Sequence, residues 1–334
     1  MEPFNLPSEC KVRKNGNVQK RTRRTVGCAI IRGMKNHRQT TDMAGAWAAM
    51  ITPFTKENKV NEEAIGQLVE YGLAGGLAGF YLTGSTGEGL LMSVKERKQV
   101  YRCAVRAAKG RCRFIAHVGA VSTDDSIELA RYAADVGCDW VSSVAPVYFG
   151  QTFDAQYRHY KAISEATDLP FMVYCFRSEV VPDRDARLFD LKNVKGMKYT
   201  GSDYFAVQCL KRKLDKEVLF FAGRDEQFAC AMALGDVFSG AIGTSQNFLP
   251  RHFANIYDCC MRNDFAAAAK WQGEANRFVE LLISNENWST WKAMMKHVGI
   301  DCGAARKPYA PLAPAEERKW IRRFASLKLV EGVR

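Results

Sequence analysis

From residue 44 onward, one pattern of hydrophobic and polar residues repeats along the chain. A short apolar run comes first, then a turn rich in Gly, Ser, Thr or Pro, and then an amphipathic segment with helical spacing. Eight apolar runs are predicted to be strands: Trp47–Ile51, Gly79–Thr83, Phe114–Val118, Trp140–Ala145, Phe171–Tyr174, Val194–Lys198, Val218–Ala222 and Gly240–Gly243. The helices predicted to follow them are Asn61–Ala74, Ser93–Lys109, Thr123–Val136, Phe153–Thr167, Asp183–Phe189, Ser202–Lys213, Glu226–Leu234 and Pro250–Asn263.

Eight strands alternating with eight helices predict an α/β fold, a closed (β/α)8 TIM barrel. The strands are almost continuous in apolar residues, as is typical of parallel strands covered by helices. A doubly wound open sheet is the alternative, but it usually has a glycine-rich turn after its first strand, where this chain has Thr52-Pro-Phe-Thr-Lys. A capping box from Ser93 to Glu96 is expected to start the second helix.

Beyond the eighth unit the pattern predicts only helices, and these form a C-terminal extension. They are Phe265–Ser284, Thr290–Val298 and Pro314–Ser326. We therefore expect three regions: a basic, disordered N-terminal arm over residues 1–43, the barrel over 44–263, and a helical region packed on the barrel over 264–334.

The charge is concentrated in the N-terminal arm. The whole chain has a formal net charge of +12, and residues 1–42 hold ten basic against three acidic residues, a surplus of seven. Three interpretations compete for the arm: a tail that binds nucleic acid, an organellar presequence, and an upstream extension that adds nothing to the fold. Glu2 and Glu9 interrupt the acid-poor pattern of a presequence, and we favour the last interpretation.

Composition narrows the class of protein further. Hydrophobic residues make up 47 % and charged residues 25 %, which is typical of a globular protein, and no apolar run reaches the roughly 18 residues of a membrane span. The eleven cysteines include no CxxC pair, so reduced thiols in the cytoplasm are expected. No ligand pattern indicates a metal or a nicotinamide, and we predict no cofactor.

Candidate chemistry lies at the carboxyl ends of the predicted strands, where barrel enzymes build their sites. The sixth strand ends at Lys198, within Gly196-Met-Lys-Tyr-Thr. In a barrel mouth this ammonium group loses contact with water, which favours the neutral amine. A neutral amine can attack a ketone to form a Schiff base. The alternative is a lysine that points into solvent at the strand end.

Other strand ends carry further polar groups. Tyr174 ends the fifth strand and is either a proton-transfer group or a core tyrosine that caps the barrel. The turn 84–89 offers amides and hydroxyls that suit a carboxylate. The segment 223–226 either caps a helix or recognises the hydroxyls of a polyol, and Thr244 follows the eighth strand. His117 lies inside the third strand and is expected to be a core histidine.

Together and in this order, the motifs resemble those of the dihydrodipicolinate synthase/N-acetylneuraminate lyase family of class I aldolases. The segments that carry the resemblance are Thr52-Pro-Phe, Gly84-Ser-Thr-Gly-Glu, Ala116-His-Val-Gly, Val173-Tyr, Gly196-Met-Lys, Gly223-Arg-Asp-Glu and Ala241-Ile-Gly. It implies that Lys198 forms a Schiff base with a 2-oxo acid and that Tyr174 transfers the proton. It further implies a homotetramer in which Tyr148 is lent to a neighbouring subunit's site. The catalytic residues implied are Lys198, Tyr174, Tyr148 and Thr86, and the substrate-binding residues are Ser85, Thr86, Thr200, Gly223, Asp225, Glu226 and Thr244.

Within the family, the Asp225-Glu226 pair and the Lys198-x-Thr200 step are more similar to the sialic acid lyase branch. That branch implies cleavage of N-acetylneuraminate to pyruvate and N-acetylmannosamine. After the tyrosine the family usually has Asn or His, an aliphatic residue and Pro, whereas this chain has Cys175-Phe-Arg-Ser-Glu179. The synthase branch places an arginine where Glu179 stands, so the departure disfavours the synthase and leaves the sugar acid open.

Two alternatives remain at this point. One is a dihydrodipicolinate synthase, or another 2-oxo acid aldolase or dehydratase of the same family acting on a different sugar acid. The other is an inactive barrel whose basic arm binds nucleic acid or a protein partner. The intact Lys198 and Tyr174 favour an enzyme with a small 2-oxo acid substrate, and neither a membrane nor nucleic acid is an expected partner.

Overall fold

A closed barrel of eight parallel strands forms the centre of the described part of the chain. The computed structural model describes residues 43–330 and 332, apart from 149, 177, 178 and 286, so the predicted arm lies almost wholly outside them. Each strand pairs with the next along the chain, and β8 pairs with β1. The strands β1 to β8 are Gly45–Ala49, Gly79–Leu82, Arg113–His117, Trp140–Val144, Phe171–Phe176, Val194–Thr200, Leu219–Ala222 and Gly240–Gly243.

Helices connect the strands and continue beyond the barrel, which confirms the predicted TIM barrel with its C-terminal helical extension. In the described residues the α-helices α1 to α11 are Glu62–Ala74, Val94–Ala108, Thr123–Asp135, Phe153–Ser164, Pro182–Ala186, Tyr204–Arg212, Phe228–Met232, Pro250–Met261, Phe265–Ile283, Trp288–Met295 and Pro314–Ser326. The predicted capping box starts α2: the Ser93 hydroxyl accepts a hydrogen bond from the Glu96 amide, and the Glu96 carboxylate accepts one from the Ser93 amide.

Two of the helices predicted within the barrel are each divided between a five-residue α-helix and a 3₁₀ segment. Pro182 opens α5, which continues as the 3₁₀ segment Arg187–Asp190, and the 3₁₀ segment Asp225–Gln227 precedes α7. Two strands are longer than predicted, because β5 and β6 stay paired as far as Phe176 and Thr200. The extra length of β6 brings the hydroxyl of Thr200 to that of Tyr174 on β5.

Alternate residues of the strands fill the barrel interior, as the two-residue period of a strand requires. The lower interior is packed by large side chains, and the Trp47 and Phe221 rings meet edge to face at 6.2 Å. Residues of the opposite parity pack outward against the helices. With its lower part filled, the barrel leaves only its carboxyl end open to a ligand.

The C-terminal helices share the core of the barrel and its surrounding helices. Phe278 of α9 lies 4.7 Å, centroid to centroid, from both Phe324 of α11 and Phe248, which follows β8. Phe324 and Trp320 are almost fully buried. Within the described residues, no helix combines the length and the apolar character needed to cross a bilayer.

Candidate active site

Lys198 lies inside the barrel wall rather than at its edge. The sequence predicts that β6 ends at this lysine, but the strand runs two residues further, and Lys198 pairs in register with Tyr174 of β5 and Phe221 of β7. Only 5 % of the residue is exposed. This burial contradicts the alternative of a solvent-facing lysine.

The amine of Lys198 faces two aromatic rings. Its Nζ atom lies 4.2 Å from the centroid of the Tyr174 ring and 4.6 Å from that of the Tyr81 ring. None of the ion pairs formed among the described residues involves Lys198. The amine can therefore meet a carbonyl carbon without first leaving a carboxylate partner.

Both the ring and the hydroxyl of Tyr174 are held by neighbouring side chains. The Tyr81 and His117 rings meet the Tyr174 ring edge to face at 6.0 and 6.1 Å. The hydroxyl of Thr200 donates to the Tyr174 phenol oxygen at 3.5 Å. The structure thus brings together Lys198, Tyr174 and Thr200, three of the residues predicted from the sequence.

Two neutral groups beneath the amine complete this cluster. The Tyr81 hydroxyl donates to Ser142 Oγ at 3.0 Å, and burial raises the pKa of Tyr81 well above its usual range. Burial and the nearby Arg97 lower the pKa of His117, whose Nδ1 lies 3.2 Å from the Thr83 carbonyl oxygen. His117 is the core histidine expected from the sequence. Tyr81 was missed, although its two-residue spacing from Gly79 and Thr83 marks it as inward-facing.

Hydroxyl groups of two distant segments meet at the opposite side of the mouth. Thr86, in the turn after β2, and Thr244, after β8, have their Oγ1 atoms 2.7 Å apart. Thr86 is buried, whereas its neighbour Ser85 is exposed. The structure thus places Thr244 beside the 84–89 turn, a contact that the sequence did not predict, and Ser85 lies on the solvent side of that turn.

Asp225 is buried in the wall between β7 and β8. Its carboxylate accepts hydrogen bonds from the Ser245 amide at 2.7 Å and the Gln246 side chain at 3.1 Å. Burial raises the pKa of Asp225 to about 6. A Cβ atom at position 243 would collide with this carboxylate, so glycine is needed there. Through these contacts Asp225 connects the segment after β7 to the segment after β8. That Asp225 contacts the substrate stays a prediction.

The remaining predicted site residues lie around the rim. Glu226 forms an ion pair with Arg224 at 3.0 Å. Gly223 lies against Thr200, and a Cβ atom there would strike the threonine hydroxyl. Tyr148 has a φ of 82° and is 89 % exposed, so in a single chain its side chain extends into solvent.

The sequence matches the model of the dihydrodipicolinate synthetase family over residues 42–326. It is 32 % identical to an N-acetylneuraminate lyase of Enterobacter sp. (strain 638) over 277 residues, which cover 81 % of this chain and 92 % of the relative. These findings confirm the resemblance inferred from the sequence motifs.

Solved structures of both family branches share the fold. N-acetylneuraminate lyase from Mycoplasma synoviae aligns with a TM-score of 0.80 at 31 % identity, covering 86 % of this chain and 99 % of that one. Dihydrodipicolinate synthase from Aquifex aeolicus aligns with a TM-score of 0.79 at 25 % identity, covering 86 % and 98 %. The chain therefore belongs to the dihydrodipicolinate synthetase family and is a carbon–carbon lyase of the aldolase type.

Proposed function

We propose that this enzyme cleaves N-acetylneuraminate to pyruvate and N-acetylmannosamine through a Schiff base on Lys198. The observation that carries the proposal is the pairing of Lys198 with Tyr174 in register, with the amine 4.2 Å from the centroid of the tyrosine ring. An amine and a phenol held this closely on adjacent strands can serve as nucleophile and proton carrier of one reaction.

In the first step the Lys198 amine attacks C2 of the 2-oxo acid, and loss of water gives an iminium. Burial assists this step because water is excluded from around the reacting amine. The carboxylate of the substrate lies at the hydroxyls of the 84–89 turn, with Thr86 as the principal donor.

In the second step the bond between C3 and C4 breaks. The Tyr174 phenol gives its proton to the hydroxyl that departs as water in the first step, and the resulting phenolate then takes the proton of the C4 hydroxyl. The released sugar becomes an aldehyde, and the electron pair of the broken bond enters the iminium to give an enamine. Protonation of the enamine at C3 and hydrolysis then release pyruvate and restore Lys198. Thr200, which donates to the phenol oxygen, orients Tyr174 for both proton transfers.

Two observations support a sugar acid as the substrate. Thr200, Glu226 and Thr244 provide hydroxyl and carboxylate groups at the rim, and such groups suit the hydroxyls of a polyol. The Enterobacter relative and the Mycoplasma structure both carry the name N-acetylneuraminate lyase.

The test is release of pyruvate from N-acetylneuraminate, followed with a coupled lactate dehydrogenase assay. We expect saturable release that the Lys198→Met variant abolishes. A panel of other 2-oxo sugar acids is assayed in parallel. Turnover of another acid, with none of N-acetylneuraminate, would assign the enzyme to a different substrate of the same family.

Condensation of pyruvate with an aldehyde, as in a synthase, is the second candidate. The Aquifex synthase, with its TM-score of 0.79, is the observation in its favour. Glu179 is exposed where the synthase branch has arginine, and Arg177 lies outside the described residues. Consumption of pyruvate with aspartate semialdehyde, in the absence of any sialic acid cleavage, would favour the synthase.

We further propose that the enzyme is a homotetramer in which Tyr148 reaches a neighbouring subunit's site. Large apolar side chains are exposed after three consecutive strands, namely Leu90 at 50 %, Val121 at 65 % and Tyr148 at 89 %. Exposed apolar groups gathered at one end of a barrel are typical of a subunit interface. Sedimentation of the wild type and of Tyr148→Ala, with kcat measured on both, tests the assembly and the lent tyrosine separately.

A further inference from the structure

A buried ion pair lies directly behind the turn that carries Ser85 and Thr86. Glu88 Oε1 lies 2.5 Å from Lys292 Nζ, and each of the two side chains is only 1 % exposed. Glu88 belongs to the turn after β2, whereas Lys292 lies on α10 of the C-terminal region. Few protein ion pairs are so completely buried, because removing both charges from water is costly.

Among the described residues, two further contacts join the C-terminal region to the turn. The second Glu88 oxygen, Oε2, accepts a hydrogen bond from the Arg306 amide at 2.6 Å. The indole NH of Trp288 donates to the Ser85 carbonyl oxygen at 3.1 Å. Ser85 and Glu88 are thus each fixed from behind, and Thr86 lies between them.

The turn needs such support because its backbone is strained. Glu88 has φ 56° and ψ 33°, the left-handed conformation that non-glycine residues rarely adopt. A residue in this conformation persists where its surroundings hold it. Here the carboxylate of the same residue is held by Lys292 and Arg306.

Lys292 is itself held in one position from several sides. Its Nζ donates to the Ala304 carbonyl oxygen at 3.2 Å and lies 4.0 Å from the centroid of the Phe54 ring. Burial lowers the pKa of Lys292, and Glu88 acts in the opposite direction. The ammonium group is therefore a fixed anchor and not a mobile surface charge.

We propose that Lys292 and Glu88 are positioning residues that set the hydroxyl-bearing turn at the place where the substrate carboxylate binds. The inference rests on the proposed function, because it concerns the carboxylate of the 2-oxo acid. Lys292 acts through Glu88 and the turn and does not contact the substrate. The C-terminal helical region thereby determines how tightly the barrel holds a carboxylate.

The proposal predicts a loss that depends on the carboxylate of the ligand. Lys292→Met keeps most of the aliphatic stem and removes the charge. Reductive trapping with borohydride is measured over a range of pyruvate concentrations, and over a range of hydroxyacetone, a ketone without a carboxylate. We expect the half-saturating pyruvate concentration to rise by roughly tenfold or more, because displaced binding groups lose much of their effect. Trapping with hydroxyacetone should be unchanged.

Lys296→Met is the matched control. Lys296 follows α10 in the 3₁₀ segment Lys296–Val298. Its ammonium group forms an ion pair with Glu317 of α11 at 2.7 Å and not with a residue of the 84–89 turn. Its loss should leave both trapping curves unchanged. An equal change for pyruvate and hydroxyacetone in Lys292→Met, or no change for either, would refute the positioning role.

Trp288→Phe decides the question if Lys292→Met does not fold. It keeps an aromatic ring between Trp291 and Tyr309, whose ring centroids lie 4.7 and 4.8 Å from that of Trp288 with the rings tilted, and it removes the donor to Ser85. We expect a pyruvate-specific rise of about threefold, the effect of one neutral hydrogen bond. An unchanged pyruvate curve would overturn the proposal. Absence of any trapping in the wild type would instead refute the proposed function.

Discussion

Replacing Tyr174 by phenylalanine removes the proposed proton carrier and leaves the rest of the site in place. The ring is held by edge-to-face contacts with Tyr81 and His117 at 6.0 and 6.1 Å, and these do not need the hydroxyl. The lost hydrogen bond is the 3.5 Å bond from Thr200. Because this bond is long, we expect a stability cost of about 1 kcal/mol or less.

The effect on catalysis should be much larger than the effect on stability. A positioned acid–base group contributes roughly 100-fold to 10,000-fold to the rate. At about 1.4 kcal/mol for each factor of ten, this is an increase of about 3 to 6 kcal/mol in activation free energy. The loss should appear in kcat, because the phenol acts on the bond that breaks and not on the carboxylate that binds.

Steady-state pyruvate release and borohydride trapping separate these effects. Tyr174→Phe should lose kcat and still yield an adduct on Lys198 at saturating pyruvate. Tyr199→Phe is the matched control, since its hydroxyl accepts a hydrogen bond from the Asp203 amide at 3.1 Å on the outside of the barrel. A Tyr174→Phe enzyme whose kcat stays within about tenfold of the wild type, below the range expected for acid–base catalysis, would refute this role.

Three further predictions concern the wall, the turn and the arm. A carboxyl with a higher pKa in the folded protein binds its proton more tightly when folded, so the raised pKa of Asp225, about 6 against 3.8, makes stability fall as the pH rises between these values. Urea titrations measure the free energy of unfolding of the wild type and of Asp225→Asn across this pH range. The wild type should lose about 3 kcal/mol more than the variant. Free energies of unfolding that change with pH in the same way for both proteins would contradict this. Thr86→Val should raise KM for the 2-oxo acid by about tenfold, the effect of a hydrogen bond to a charged group, and an unchanged KM would remove Thr86 from the carboxylate site. Deletion of residues 1–42 should leave pyruvate release unchanged, and a loss of activity would give the arm a role in catalysis.

The sequence was sufficient for the fold because each strand and helix is marked by its own local period. The apolar runs and amphipathic segments gave the eight units of the barrel. Strand ends were less accurate, since Tyr199 and Thr200 precede Gly201 and resemble the start of a turn. They remain in β6 because the partner strand β5 extends opposite them, from Cys175 to Phe176.

The site was predictable only where one residue carries a local signal. Lys198 is conspicuous because it follows apolar residues on a strand, and Tyr174 because it ends the neighbouring strand. Glu88 and Lys292 have no such signal: they are far apart in the sequence, and only packing of α10 against the turn joins them. Asp225 shows a different limit: its place at a strand end indicated a polar role, but its hydrogen bonds to Ser245 and Gln246, which follow β8, have no local signal in the sequence.

Identification of the residue that pyruvate modifies tests the central claim most directly. The full chain is incubated with pyruvate and borohydride, digested, and analysed by peptide mass spectrometry. The account predicts one reduced pyruvate on the peptide that contains Lys198, and none on that peptide when borohydride is omitted. An unmodified Lys198, or an adduct spread over surface lysines, would contradict it.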